Sequence, residues 1–467
     1  MATKFIDRDK EMALLEKQYA LPQASFVVIY GRRRTGKTRL IAEFLKKHEA
    51  DSLYFLVTEE SENQNLAVFR KLCGEYLGND LLAVSTASWE DSCRLFAQYH
   101  PERKKILVID EFQYLGVCNP AFPSIVQKIW DLVFSEANIM LVLSGSLVSL
   151  MKTQTLAYSS PLYGRRTAQL KLKQIPFARY GDFFASLKGR DLVDRYAITG
   201  GVPRYIEAFQ GQGDLFGLIK QNILNPGSFL YEEPYFLLQK EVKQIGSYFS
   251  LLRTIAFGNH KLNDIATVLS VKATDLTSYL KILSDLDLVE REVPVFESNP
   301  EKSKSGLYRI TDNYIAFWFK FVYPWQNYLE RGEDQVVFDN LKRNFVQRHA
   351  AFVYEDVCRE RMWSLSAAGS WKFPVEKVGR YWGRVTDETD IVALSEGTRN
   401  MVVGECKYSL SPKDDDVLFA LERRGRALSS WFGVPDVQYV LFSMGGFTDK
   451  LRSLASCRSD VLLVEGC

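Results

Sequence analysis

The chain has 467 residues, 46% of them hydrophobic and 25% charged, with 59 Lys and Arg against 57 Asp and Glu for a net charge of +2. That length accommodates two to four domains of roughly 100–200 residues, and the near-neutral balance excludes a globally basic nucleic-acid coat, so any such surface must be local. No apolar run approaches the roughly 18 residues that span a bilayer and the start MATKFIDRDKEM lacks an apolar signal core, which reads as a cytoplasmic protein without membrane contact.

Seven cysteines without CxxC pairs and four histidines without ligand spacing argue against a disulfide framework, a zinc site or histidine chemistry. The apolar run Phe26–Tyr30 leads directly into Gly31-Arg32-Arg33-Arg34-Thr35-Gly36-Lys37-Thr38, which has the form GxxxxGK[ST]. Gly31 and Gly36 let the backbone curl until its N–H groups point at phosphates, and the following helix adds its positive end. Lys37 is placed to meet the β and γ oxygens, and Thr38 to ligate Mg²⁺. The segment Arg39–Leu45 carries apolar residues at Leu40, Ile41, Phe44 and Leu45, the spacing of a helix. Arg32, Arg33, Arg34, Thr35 and Arg39 join the nucleotide-binding set; the three loop arginines either screen phosphate charge or are solvated.

Ser52–Val57 reads as a second strand, and Lys105–Phe112 supplies a third that ends in Asp110-Glu111. This is a Walker B pattern, in which Asp110 holds Mg²⁺ through water and Glu111 polarises the attacking water. A further strand, Ile139–Leu143, ends in Ser144-Gly145-Ser146, and Ser144 is the candidate sensor of the γ-phosphate. These runs alternate with helical stretches, so a doubly wound parallel α/β sheet is expected.

This part of the chain resembles the archaeal-type ATPases of the STAND and AAA+ branch of P-loop proteins. The opening Phe5–Glu11 is similar to the family's F-x-x-R-x-x-E box, which implies that Arg8 lies beside the adenine. Ser160–Arg166 is similar to its L-x-G-R segment, which makes Arg165 a γ-phosphate arginine or a solvated loop residue. Tyr196–Tyr205, with Gly200-Gly201-Val202-Pro203, is similar to the GG-x-P segment of the helical subdomain, which implies an approach of Pro203 to the nucleotide.

Residues 262–294 read as a helix-turn-helix, followed by a wing formed from 288–294 and 307–310. The second helix offers Lys272, Thr274, Asp275, Thr277, Ser278 and Lys281, a weakly basic set for groove contacts, so packing or regulation is the first reading and DNA binding the second. Tyr314–Trp325 is aromatic-rich and is expected to be core. Glu330–Asp334 is a polar linker candidate.

Beyond it, a helix containing Glu355 precedes a strand entered by Asp390, and Val402–Lys407 forms a partner strand whose alternation sets Glu405 and Lys407 on one face. Two carboxylates and an ammonium in this arrangement suit metal-dependent phosphodiester hydrolysis, Asp390 and Glu405 as metal ligands and Lys407 orienting water. An exposed strand pair with a cross-strand salt bridge is the plain alternative. Residues 344–465 resemble the PD-(D/E)xK nucleases, in the branch fused to archaeal-type ATPases and described as a domain of unknown function; the resemblance makes Glu355 the helix acid. The helix with Arg423, Arg424 and Arg426 either tracks a phosphate backbone or is a solvated face.

The expected organisation is a P-loop ATPase core (1–170), a helical lid (171–245), a winged helix (246–330) and a nuclease-like α/β domain (340–467). Its expected ligands are ATP and Mg²⁺, and its partner a nucleic acid, DNA ahead of RNA. A signalling ATPase with binding modules only, or a sequence-reading regulator working through the winged helix, are the competing functions. If Arg165 acts on a neighbour's nucleotide a homo-oligomer follows; if it acts in cis a monomer suffices.

Overall fold

A computed structural model of the chain describes residues 5–211, 213–242, 244–395, 397 and 399–466. They form two compact units, one of residues 1–175, 202–204 and 237–243, the other of 176–201, 205–236 and 244–467.

The first unit is built on five strands: β1 (Ser25–Tyr30), β2 (Ser52–Leu56), β3 (Lys105–Asp110), β4 (Ile139–Gly145) and β5 (Ala168–Lys171). They lie in the order β2-β3-β4-β1-β5, every neighbouring pair parallel. Strands β1, β3 and β4 are buried along their whole length, which is why they read as continuous apolar runs rather than alternating ones. Helix Lys37–Leu45 buries Leu40, Ile41 and Phe44 against Val27, Ile29, Val108 and Val142 of the sheet. Because β3, β4 and β1 are adjacent and parallel, the segments that follow them emerge together at one edge of the sheet, which is where such folds place ligands.

In the second unit, helices Ile245–Ala256, Leu262–Leu269 and Ala273–Asp285 precede an antiparallel hairpin of β6 (Val289–Glu292) and β7 (Leu307–Ile310), and Lys261 adds a bridge to Leu307. The aromatic helix Asn313–Phe321 is core: Tyr314, Phe317, Trp318 and Phe319 are buried, and the Trp318 indole donates to the Tyr231 carbonyl at 2.8 Å. Of residues 330–334, read from sequence as a linker, Glu330 and Asp334 belong to helices Gln326–Glu330 and Asp334–Phe345, and only 331–333 are a short turn between them inside this unit.

The C-terminal part of this unit is a helix, Ala351–Ala367, and a second sheet of β8 (Lys377–Tyr381), β9 (Thr389–Leu394), β10 (Asn400–Lys407), β11 (Asp436–Ser443) and β12 (Val461–Glu465). Its order is β12-β11-β10-β9-β8, with β9 antiparallel to both β8 and β10, and β10, β11 and β12 parallel. Helix Asp415–Phe432 makes the crossover from β10 to β11, long enough to return the chain for a parallel pairing. Its Leu418, Leu421 and Leu428 pack on Met401, Val403, Val392 and Leu394 of the sheet. On the opposite face of the sheet from that helix, Gly404 leaves little room for a side chain: a Cβ there would stand 2.7 Å from Val440 Cγ1 and 3.0 Å from Ile391 Cβ.

Candidate nucleotide site and C-terminal acid cluster

The loop after β1 is held shut by its own backbone. Lys37 Nζ donates to the carbonyls of Gly31 (2.7 Å) and Arg32 (3.0 Å), and Thr35 Oγ1 to that of Arg32 (2.9 Å). Gly31 leaves no room for a side chain, since a Cβ would meet the Leu172 carbonyl oxygen at 2.5 Å. Gly36 takes φ 95° as the residue that caps helix Lys37–Leu45, a backbone that favours glycine. Lys37 is 5% exposed, and burial pulls its ammonium down to about 8 against the opposing charges of Glu111, Asp110 and Glu241. Pro203 lies at the same loop, its Cγ 3.8 Å from the position a Cβ on Gly36 would occupy. Arg33 donates to the Tyr114 hydroxyl at 2.9 Å, while Arg39 pairs with Glu43 at 2.8 Å along its helix. Arg32 is buried, and Arg34 has a left-handed backbone, φ 68°.

Arg8 is buried and binds backbone: its Nη2 donates to the carbonyls of Thr35 (3.2 Å) and Lys173 (2.7 Å), tying the phosphate loop to the segment after β5. The family resemblance implied a place beside a base; the contacts seen are with the loop itself.

At the end of β3, Asp110 Oδ2 accepts from Thr38 Oγ1 (3.2 Å) and from the Tyr54 hydroxyl (2.7 Å), and its Oδ1 accepts the Glu111 N–H (2.9 Å). Burial, reinforced by Asp110, keeps the Tyr54 phenol protonated by raising its pKa. Glu111 adopts φ 55°, a left-handed backbone that costs a non-glycine residue energy. Its Oε2 accepts from Ser146 Oγ (2.7 Å), the Ser146 N–H (3.3 Å) and the Gln113 amide. Ser144, the sensor expected from sequence, is fully buried; its carbonyl accepts the Phe112 N–H at 2.9 Å, and its hydroxyl has no hydrogen-bond partner among the described residues. Arg165 forms a two-pronged pair with Asp131 (2.8 Å and 2.8 Å) and reaches the Pro161 carbonyl (2.9 Å), contacts that do not join it to the phosphate loop.

The structure therefore gathers Gly31, Lys37, Thr38, Asp110, Glu111 and Pro203 and keeps Arg165 on a separate ion pair. Sequence reasoning missed Tyr54, Gln113, Ser146 and Glu241. Glu241, whose carboxylate accepts the Val148 N–H at 3.0 Å and is pushed up by burial, carried no signal because about 200 residues separate it from the loop.

On the second sheet, Asp390 stands at the second residue of β9 and Glu405 and Lys407 near the end of β10. Asp390 Oδ2 accepts the Cys406 N–H at 2.9 Å, which fixes the carboxylate across the strand pair. Glu405 is buried and shared by two cations: Lys407 Nζ meets Oε1 at 2.5 Å and Arg424 Nη2, from helix Asp415–Phe432, meets Oε2 at 2.5 Å. Glu355 stands on helix Ala351–Ala367, where Arg359 one turn on is 3.8 Å from it and donates to the Asp390 carbonyl at 3.1 Å. Burial, then the Glu405 charge, pushes Asp390 above the usual carboxylate range; burial, then the Asp390 charge, does the same to Glu355. Among the described residues no group of three or more His, Cys, Asp or Glu side chains is arranged to hold a metal. Arg423 and Arg426 were grouped with Arg424 as a basic face, yet Arg424 turns inward to Glu405 and Arg426 pairs along the helix with Glu422 at 3.8 Å.

A parallel sheet of this order with a GxxxxGK[ST] loop after β1 and an Asp-Glu pair ending β3 defines a P-loop ATPase core. Residues 5–209 match the ATPase domain found predominantly in Archaea, and residues 318–417 match a domain described as archaeal and bacterial proteins of unknown function, DUF234. The uncharacterized protein MJECL04 of Methanocaldococcus jannaschii is 34% identical over 415 residues, 88% of this chain and 89% of that protein. The chain belongs to this family of archaeal-type ATPases with a DUF234 C-terminal domain. The uncharacterized ATP-binding protein MJ0423 of the same organism is 43% identical over 42 residues, 9% of this chain and 71% of that protein. Among solved structures, the Walker-type ATPase PABY2304 of Pyrococcus abyssi is similar in fold, with a TM-score of 0.51 and 19% identity over 68% of this chain and 96% of that one. No helix among the described residues is long and apolar enough to cross a membrane.

Proposed function

We propose that the chain binds and hydrolyses ATP and that its nucleotide state is coupled to metal-dependent cleavage of nucleic acid, DNA ahead of RNA, by the C-terminal sheet. The observation that carries the first half is the convergence of Lys37, Thr38, Asp110 and Glu111 at one edge of a parallel sheet. A buried ammonium that donates its hydrogen bonds to carbonyls of its own loop, with no carboxylate in direct contact among the described residues, fits the phosphates of a nucleotide as its counter-charge. Thr38 Oγ1 and Asp110, 3.2 Å apart, are the oxygen donors that would hold Mg²⁺, which neutralises charge on the transferred phosphoryl group when bound. Lys37 then leaves the loop carbonyls for the phosphate oxygens, and Glu111, with Oε2 occupied by Ser146 and Gln113, presents Oε1 to the attacking water. The measurement is the ATPase rate of the intact chain against Lys37→Ala and Glu111→Gln; loss in both supports the reading, and wild-type rates in both overturn it.

The second half rests on Asp390, Glu405 and Lys407 on paired strands. The donor set suits a hard divalent cation in kind, and the mutual repulsion that pushes Asp390 up is relieved by one. Asp390 and Glu405 would hold the cation, which polarises a scissile phosphate when bound; Lys407 is the residue that orients water there. The arrangement of three helices, bridge and hairpin over 245–310 supports a winged helix, and the outward face of Ala273–Asp285, with Lys272, Thr274, Thr277, Ser278 and Lys281 exposed, leaves it able to meet a duplex. One observation favours a second reading, a regulatory ATPase whose C-terminal domain only binds: both oxygens of Glu405 are already neutralised by Lys407 and Arg424. Metal-dependent cleavage by the wild type that is lost in Asp390→Ala separates the two.

A further inference from the structure

Within the second unit, a cavity of about 470 Å³ opens between the end of helix Ile245–Ala256, strand β7, helix Asn313–Phe321, the turn 346–350 and helix Ala351–Ala367. Its volume is that of a small-molecule site rather than a packing void, for which the usual range is roughly 300–1,000 Å³.

The charges on its walls are unequally compensated. Arg309 is matched by Asp356 (2.7 Å and 2.7 Å) and Glu290, and Arg380 by Glu292 (3.1 Å) and Glu388 (2.6 Å). Lys320 and Arg348 have no such match. Lys320 Nζ donates to the Arg348 carbonyl at 2.9 Å, and neither residue forms an ion pair with a carboxylate among the described residues. Burial, with the Arg348 charge beside it, pulls the Lys320 ammonium down to about 8, an effect that the Asp356 carboxylate offsets only in part. The same cavity exposes aromatic faces: Phe352 is 51% and Phe257 47% accessible, and Lys320 Nζ sits 5.5 Å from the Phe352 ring centre. Exposed rings this large, next to cations that lack carboxylates, ask for a ligand with both a flat apolar face and an anionic group.

We propose that this cavity binds a nucleoside phosphate, free or as one unit of a strand, its phosphate between Lys320 and Arg348 and its base against Phe352. Glu355 lines the same cavity, so the bound group lies beside the helix that carries Arg359 to the Asp390 carbonyl. The inference rests on the reading of the C-terminal sheet as a nucleic-acid-processing domain and names what its substrate pocket recognises.

The test is fluorescence anisotropy on the full chain carrying Lys37→Ala, which silences the phosphate loop, in EDTA so that no cleavage intrudes. The probes are a fluorescein-labelled single-stranded decadeoxynucleotide and, separately, N-methylanthraniloyl-AMP. Lys320→Ala and Arg348→Ala weaken binding about tenfold for at least one probe, as expected for the loss of a charge-assisted contact, and Lys320→Arg retains most of it. Phe352→Ala, at an exposed position where folding is not at stake, weakens the same probe. The probe that responds identifies the source, strand or free nucleotide. Wild-type affinity for both probes in all three weakened variants, or no binding of either probe by the parent, overturns the proposal. Cavity-dependent binding without any cleavage in Mg²⁺ would instead sink only the nuclease reading.

Discussion

Ser146 Oγ stands 2.7 Å from Glu111 Oε2 and donates to it, the same oxygen that receives the Ser146 N–H and the Gln113 amide. Three donors converging on one carboxylate oxygen restrain the rotamer of Glu111, and its other oxygen takes part in none of these bonds. Ser146→Ala is therefore expected to lower kcat for ATP hydrolysis by about tenfold with a smaller change in KM, whereas Glu111→Gln lowers it by about 10²–10⁴, the range for a positioned acid–base residue. Steady-state kinetics check both; an unchanged kcat in Ser146→Ala would contradict the orienting role.

Gly31→Ala is expected to abolish nucleotide binding. The added methyl meets the Leu172 carbonyl oxygen at 2.5 Å, backbone that cannot rotate away, so the loop or the strand after it must move. Isothermal titration with ADP tests this; wild-type affinity would show that the loop tolerates the shift.

Arg8 anchors the same loop from outside through the carbonyls of Thr35 and Lys173. Removing it leaves the buried Thr35 carbonyl without that donor, at about 1–3 kcal/mol for an unsatisfied group. Arg8→Ala is expected to raise KM for ATP about tenfold and to lower the melting temperature, read by kinetics and calorimetry. Loss of adenine selectivity without a loop effect would favour the base-side role that the family box implies.

His349 supplies the pH dependence. It is fully enclosed among Phe317, Phe321 and Phe345, and its Nε2 donates to the Ala197 carbonyl at 2.6 Å, so the ring is neutral. Burial, with Lys320 nearby, pulls its pKa down to about 3. The unfolded chain, with a histidine pKa of about 6.5, then binds the extra proton first as pH falls, so this group's contribution is present above about 6.5 and lost progressively toward 3. His349→Gln, which keeps a donor but does not titrate, is expected to show a smaller drop in melting temperature between pH 7 and pH 4.5 than the wild type. Equal drops would assign the acid sensitivity elsewhere.

What was legible in sequence were the contiguous segments: the loop 31–38 after β1 and strand β3 ending in Asp110 and Glu111 in the first unit, and Asp390 entering β9 in the second. What escaped was set by side chains that meet only after folding. Ser144 and Ser146 are equivalent to a reader of Ser-Gly-Ser; both are buried, and it is the second, one residue beyond the end of β4, that meets Glu111. Strand β8 was missed because Lys377–Tyr381 is partly exposed and lacks an apolar alternation. Arg424 looked like one charge on a solvated basic face; helix packing through Leu421 and Leu428 turns it onto Glu405. The helix expected around Glu355 is Ala351–Ala367, and the π turn Val346–Ala350 that leads into it is one that local propensity does not encode.

The central claim is coupling of nucleotide state to cleavage, and it is tested by cutting labelled single-stranded, duplex and branched DNA with Mg²⁺ or Mn²⁺ in the presence of ATP, ADP or neither. The account predicts cleavage by the wild type whose rate depends on the nucleotide, loss of that dependence in Lys37→Ala, and loss of cleavage itself in Asp390→Ala and Lys407→Ala. Continued ATP hydrolysis with no substrate cut under any condition would contradict it and leave the C-terminal domain as a binding module.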